Sequence, residues 1–319
     1  MNYRSIADLS ALIRANLHRV PVEVDVVAGV PRSGLLAASM IALGLNRPLT
    51  DIDGLCAGRE LVGGQTRITG MSRPRGHPEE WKVVLVVDDS VASGGSMRRA
   101  REQIVAARLP FQIIYCAAYV TRSTRDQVDL HFEVVGMPRM FEWNVMHHPL
   151  LKTCCVDFDG VLCCDPSEDE NDDGEYYRKF LLNATPRFVA TQRIGWIVTS
   201  RLEKYRTESL EWLRRHKVEF DNLVMLDLPD ARTRRRLGVH AAFKADVFRN
   251  CGAELFIESE SGQAMDIARL SGKHALCIET QCLYSPDLTS ITAATAQGSI
   301  FARRAAAKLR RTWHRVIGG

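Results

Sequence analysis

The chain has 319 residues, 46% of them apolar and 25% charged, which excludes a disordered or fibrous protein and leaves room for about two domains. Its formal charge of +4, from 42 basic and 38 acidic residues, is too small for a protein that coats itself in nucleic acid, and no nucleic-acid partner is expected. The balance hides an asymmetry: Arg303, Arg304, Lys308, Arg310, Arg311 and Arg315 lie in residues 298–319, which contain no acid, so the rest carries 36 basic against 38 acidic residues, a net −2. Nine cysteines, an odd number, and an N-terminus without an apolar signal segment point to a reduced, cytoplasmic protein. No uncharged apolar run reaches the length of a membrane span.

Short β-branched runs at 24–28, 83–87, 112–120, 153–158, 195–198, 223–226 and 254–257 alternate with helix-length amphipathic stretches. This rhythm predicts an α/β protein built from two doubly wound, mainly parallel-sheet domains. A break near His147-His148-Pro149-Leu150 places them at 1–150 and 151–285, with a tail at 286–319. In such sheets ligands bind at the carboxyl ends of strands, so the loops directly after the runs carry the chemistry.

The first run leads into Gly29-Val30-Pro31-Arg32-Ser33-Gly34 and a small-residue helix. Residues 56–80 are rich in Gly and Arg, among them Arg59, Arg67, Arg73 and Arg75. Next comes the run 83–87, followed by Asp88-Asp89-Ser90-Val91-Ala92-Ser93-Gly94-Gly95-Ser96 and a helix start. A strand that delivers two carboxylates, then a small-residue loop with free N–H groups, then a helix N-terminus, suits a sugar phosphate. The N–H groups and helix dipole take the phosphate, and the acids take ribose hydroxyls or their magnesium. These residues resemble the donor motif of the type I phosphoribosyltransferases. The resemblance implies that Asp88 and Asp89 meet the ribose of phosphoribosyl pyrophosphate and that Ala92, Ser93, Gly94, Gly95 and Ser96 hold its 5-phosphate. It also implies that Arg32, with Ser33 and Gly34, grips the pyrophosphate, and that the 56–80 stretch closes as a flap. Purine-salvage members carry an acid at the position of Ala92, so a purine acceptor is disfavoured. The stretch 137–144, with Glu142 as a candidate base, is read as an acceptor-side hood.

In the second block Thr153-Cys154-Cys155-Val156 feeds Asp157-Phe158-Asp159-Gly160. Two acids two residues apart at a strand end can place one on a metal beside substrate and aim the other as an acid/base. The pattern resembles motif one of the haloacid dehalogenase phosphatases, which makes Asp157 the nucleophile of an aspartyl-phosphate and Asp159 the acid/base. By the same resemblance Thr199 orients the phosphoryl group, Lys244 neutralises it, and Asp157 and Asp159 form the magnesium set with Glu258 or Glu260, of which Glu258 is favoured because it comes first after the strand. Only 34 residues separate Gly160 from Gly195, too few for a large cap, so the site is expected to admit a bulky phosphate. The acidic run 165–175 and the arginine run 232–236 read as solvated, the latter with an anion-holding alternative. The vicinal pairs Cys154-Cys155 and Cys163-Cys164 read as buried small hydrophobes rather than zinc ligands, since strand neighbours face opposite ways.

Ile300, Phe301, Ala305, Leu309, Trp313, Val316 and Ile317 recur at helical spacing among the six basic residues of the tail, a pattern suited to an anionic leaflet or to a protein surface. Together the two motif sets resemble the dual-domain ribofuranosyltransferases of bacterial surface polysaccharide (O-antigen or capsule) assembly. That resemblance implies phosphoribosyl transfer to a glycan, lipid-linked, followed by removal of the 5-phosphate, with Mg2+ as cofactor; whether the assembly is a homodimer, and whether the tail meets the inner membrane face or a protein surface, are left open. Nucleobase salvage with a nucleotidase, and a non-catalytic protein that binds phosphoribosyl pyrophosphate, remain open alternatives.

Overall fold

A computed structural model describes residues 1–59, 79 and 81–287. The flap arginines Arg67, Arg73 and Arg75 and the basic tail 298–319 lie outside the described residues. The chain forms two compact units, Met1–Trp143 and a second that begins at Asn144.

The first unit runs β1 (Asn2–Arg4), α1 (Ile6–Asn16), β2 (Val26–Gly29), α2 (Gly34–Leu45), β3 (Leu49–Asp51), α3 (Ile52–Cys56), β4 (Val83–Val91), α4 (Gly95–Ala107), β5 (Gln112–Val120), β6 (Leu130–Val134) and β7 (Arg139–Phe141). Its main sheet has the order β3-β2-β4-β5-β6, every pair parallel, and β1 pairs with β7 separately. The period-2 alternation of strands sorts the core. Val27, Leu85 and Val87 pack with Leu9, Ile13, Ala38 and Ile41 on the α1/α2 face. Val26, Ala28, Val84 and Val86 pack with Ile52, Leu55, Met97 and Ile104 on the α3/α4 face. A capping box starts α1: Ser5 Oγ accepts from Asp8 N at 3.1 Å, and Asp8 Oδ2 accepts from Ser5 N at 2.8 Å, satisfying two helix-end donors.

The second unit runs β8 (Cys154–Val156), α5 (Glu175–Asn183), β9 (Ile194–Leu202), α6 (Arg206–Arg215), β10 (Phe220–Leu226), α7 (Ala231–Leu237), α8 (His240–Asn250), β11 (Leu255–Glu258), α9 (Ser261–Ser271), β12 (His274–Cys277) and β13 (Cys282–Tyr284). The sheet order is β10-β9-β8-β11-β12-β13, parallel except for the β12–β13 edge pair. On one face Phe248, Ala264, Ile267 and Ala268 cover Cys155, Val198, Phe256 and Ala275. Elsewhere Trp212, fully buried, stacks its ring at a tilt on Phe158, 5.1 Å between centroids, and donates Nε1–H to Ala184 O at 2.7 Å.

All seven predicted runs contain strands, but three of these strands are longer than the sequence suggested, and β10 starts at Phe220 rather than Leu223. β4 continues past Val87 because Asp88, Ser90 and Val91 pair with Ala117, Tyr119 and Val120 of β5. The two acids thus sit at the buried end of the strand that delivers them, as expected, and the strand continues through Ser90 and Val91. β9 likewise runs on through Thr199, Ser200 and Arg201. There the ladder slips: Met225 pairs with Thr199 and Leu226 with Leu202, so Ser200 and Arg201 have no counterpart on β10. Such bulges re-aim side chains beside functional sites.

Candidate functional site

In the first unit the ends of the neighbouring strands β2 and β4 present the two loops singled out from sequence. Asp88 and Asp89 are each 5% exposed. Asp89 is held from both sides, Oδ1 accepting from Ser33 Oγ and Oδ2 from Trp143 Nε1, each at 2.8 Å. Asp88 Oδ1 accepts from Asp89 N at 2.9 Å. Burial, then the charge of Asp89, pushes the Asp88 carboxyl up to about 8, since both effects disfavour a second negative charge. Gly34 presses against this strand end: a Cβ there would stand 2.9 Å from Val87 O and 3.0 Å from Asp88 Cα. Arg32, Ala92, Ser93 and Ser96 are exposed, Gly94 caps α4, and Gly95 is its first residue. A cavity of about 230 Å³ is lined by Val30, Pro31, Asp53, Ser96, Arg99 and Gln103, so residues of both loops border one space.

Sequence reasoning did not find the grip of Trp143 on Asp89. Trp143 belongs to an aromatic stack with Phe141 (centroids 5.0 Å apart, planes at 12°) and Tyr119. The buried Arg139 guanidinium lies over the Phe141 ring at 5.3 Å. Glu142 is engaged structurally, its Oε2 accepting from Ile6 N at 2.7 Å, at the start of α1.

In the second unit Asp157 comes directly after β8 and Glu258 ends the adjacent β11. Lys244, from α8, bridges them: Nζ donates to Asp157 Oδ2 at 2.7 Å and to Glu258 Oε2 at 2.8 Å. All three are buried. Burial and then Glu258 push the Asp157 carboxyl well above the ordinary carboxylate range, against the pull of Lys244. Burial opposes the charge of Lys244, but Asp157 and Glu258 outweigh it and hold the ammonium above its usual range.

Asp159 is held by Arg201. The fully buried guanidinium donates Nη2–H to Asp159 Oδ1 at 2.6 Å and Nε–H to both carboxylate oxygens at 3.1 Å, and it lies over the Phe158 ring at 3.6 Å. Thr199 is buried, its Oγ1 accepting from Arg201 N at 3.2 Å. Glu260 is exposed; its Oε2 accepts from Gln263 Nε2 at 2.6 Å, and Gln263 Oε1 in turn accepts from Lys244 Nζ at 3.2 Å. Gly160, at φ +75°, turns the chain after Asp159, and a Cβ there would come within 2.7 Å of Ser259 Cβ, so only glycine fits.

Among the described residues no group of three or more His, Cys, Asp or Glu side chains is arranged to hold a metal ion. The donor set of Asp157 and Glu258 nevertheless fits a hard divalent cation in chemistry and charge: both are carboxylates, both are buried, and one ammonium neutralises only one of them. Cys154, Cys155 and Cys163 are buried, while Cys164 is exposed, so the small-hydrophobe reading fails for Cys164. The acidic run is not simply solvated: Asp172 Oδ1 accepts from Gly174 N and Tyr177 N, each at 2.9 Å, and starts α5.

Residues 2–150 match the family model described as phosphoribosyl transferase domain. The N-terminal part of the chain is thus phosphoribosyltransferase-like, within an α/β protein of mainly parallel sheets. Among solved structures, the Helicobacter pylori xanthine-guanine-hypoxanthine phosphoribosyltransferase is 16% identical, covering 45% of this chain and 93% of its own, with a TM-score of 0.33. A Pyrococcus horikoshii purine phosphoribosyltransferase is 17% identical over 44% of this chain and 92% of its own (TM-score 0.33), and an Aeropyrum pernix orotate phosphoribosyltransferase is 19% identical over 39% and 66% (TM-score 0.26). No curated protein matches the chain. Among the described residues no helix is long and apolar enough to cross a membrane.

Proposed function

We propose that the chain is a bifunctional ribofuranosyltransferase. Its first unit transfers phosphoribosyl from phosphoribosyl pyrophosphate to a hydroxyl of a glycan acceptor, lipid-linked, in bacterial surface polysaccharide assembly, and its second unit, of haloacid dehalogenase type, removes the 5-phosphate. The observation that carries the reading is Lys244 bridging Asp157 and Glu258, which supports a reaction centre distinct from the donor site of the first unit. In the first step Ser33 and Trp143 fix Asp89 against the ribose hydroxyls, the loop 92–96 takes the 5-phosphate through its N–H groups, and Arg32 takes the pyrophosphate. In the second step Asp157 attacks phosphorus, Lys244 offsets the growing negative charge, and Asp159, aimed by Arg201, serves the leaving oxygen and then water. Asp157 and Glu258 would hold Mg2+, which when bound supplies charge neutralisation at the phosphoryl group. The tail 298–319 fits contact with the inner face of the membrane.

The test is incubation of the full chain with phosphoribosyl pyrophosphate, Mg2+ and either oligosaccharides or nucleobases, with products identified by mass. Wild type yields a glycan heavier by ribose. D157N yields one heavier by phosphoribose, its phosphatase rate reduced by at least about 10³-fold. Ribosylated base in place of glycan overturns the acceptor assignment.

A further inference from the structure

The arginine run on α7 divides in the structure. Arg232, Arg235 and Arg236 are exposed, whereas Arg234 is only 8% exposed. Its Nη1 donates to Ser200 O at 2.8 Å, the carbonyl that the bulge in β9 releases from the ladder. Its Nε is buried without a hydrogen-bond partner, as is the hydroxyl of Ser200. Among the described residues no carboxylate stands within ion-pair distance of this guanidinium. A buried guanidinium without an anion is costly, and proteins tolerate one where a ligand brings the negative charge.

Its surroundings belong to the second unit's site. Tyr177, buried on α5, feels Asp159, Arg201 and Arg234 together. His240 feels both Arg234 and Lys244. The short segment before α5 pins these parts: Asp173 Oδ2 accepts from Ala231 N, the first residue of α7, at 2.9 Å and from Lys204 Nζ at 3.0 Å, while Tyr205 donates to Asp173 O at 2.8 Å. Asp230 caps α7, accepting from Thr233 N at 2.6 Å. Helix α7 is thereby fixed at both the cap segment and the bulge, with Arg234 between.

We propose that Arg234 is a phosphate-binding residue of the second unit, its Nε–H edge taking the dianionic phosphate monoester group of the substrate. This rests on the phosphatase reading of that unit and adds a substrate contact outside the motif residues. Its geometry separates it from a mere staple: stapling Ser200 uses Nη1 and leaves Nε over.

The experiment titrates inorganic phosphate calorimetrically into full-length wild type, R234Q, R234K and the exposed-site control R232Q, and measures turnover of p-nitrophenyl phosphate beside D157N. Wild type and R234Q differ only in the second unit, so phosphate binding common to both belongs elsewhere. The expected result is a phosphate site in wild type and R232Q that R234Q weakens by at least about tenfold, with a matching rise in KM, kcat within about threefold, and partial rescue by R234K. Equal phosphate binding by wild type and R234Q overturns the assignment, whatever the thermal stability of the variant. Should R234Q not fold, an R234K titration identical to wild type overturns it, because a lysine cannot present the Nε–H edge. Full turnover by D157N sinks the phosphatase reading instead, and the phosphate titrations judge Arg234 independently of it.

Discussion

Both units put a pair of carboxylates at the carboxyl end of a central parallel strand, yet they treat the charge in opposite ways. In the first, a hydroxyl and an indole N–H hold Asp89, and Asp88 is left to be pushed up to about 8 by burial and by its neighbour. In the second, each acid of the Asp157/Asp159 pair meets a buried cation, Asp159 the guanidinium of Arg201 and Asp157 the ammonium of Lys244, which it shares with Glu258. Neutral donors orient an acid without neutralising its charge. Built-in cations keep the second site organised before any ligand arrives.

The largest expected effect comes from breaking the second arrangement. K244M leaves Asp157 and Glu258 buried without their ammonium and should cost about 3–5 kcal/mol, read from denaturant unfolding of the full chain. The loss should shrink as pH falls and one carboxylate takes up a proton. An unchanged midpoint would mean that Lys244 neutralises nothing. In the first unit the charge works the other way. Because folding raises Asp88 from 3.8 to about 8, its contribution to stability is fully present below the unfolded value and is lost as pH rises through the folded one. Wild type should therefore lose more thermal midpoint than D88N between about pH 5 and pH 9, and a parallel pair of curves would refute the assignment. The smallest effect is expected for W143F, which keeps the aromatic stack but removes the N–H on Asp89. Loss of a hydrogen bond to a charged group costs about 1.5–3 kcal/mol, so KM for the donor should rise about tenfold or more while Phe141 still packs. An unaltered KM would confine Trp143 to a packing role.

Much of the fold, and the strand ends that make up both candidate sites, was legible in the chain because it is local. Runs of Val and Ile announce central strands, and acids or glycines directly after them announce sites, as with Asp88-Asp89 and Asp157. The pairing of Asn2–Arg4 with Arg139–Phe141 was not legible, since a three-residue strand carries no alternation and its partner lies over a hundred positions away. The grip of Trp143 on Asp89, 54 residues apart, escaped for the same reason. Arg234 was hidden in another way: in a run of like charges the sequence pattern suggests a solvated face, and only the seating of α7 on the bulge distinguishes the buried member. Arg201 stood beside its motif in the sequence, but its partner could be named only once β9 was seen to extend past Val198.

The slip in β9 also shows how an irregular segment can sit inside a strand without turning the strand's last residue over. Two residues, Ser200 and Arg201, are passed over between successive partners on β10, and two is an even number. Parity is therefore conserved: Leu202, which closes both the ladder and the strand, returns on the face it would hold in an unbroken pairing. An insertion or deletion of one residue here would turn Leu202 outward, whereas a change of two would preserve its side. Length variation at this point in related chains should accordingly come in pairs.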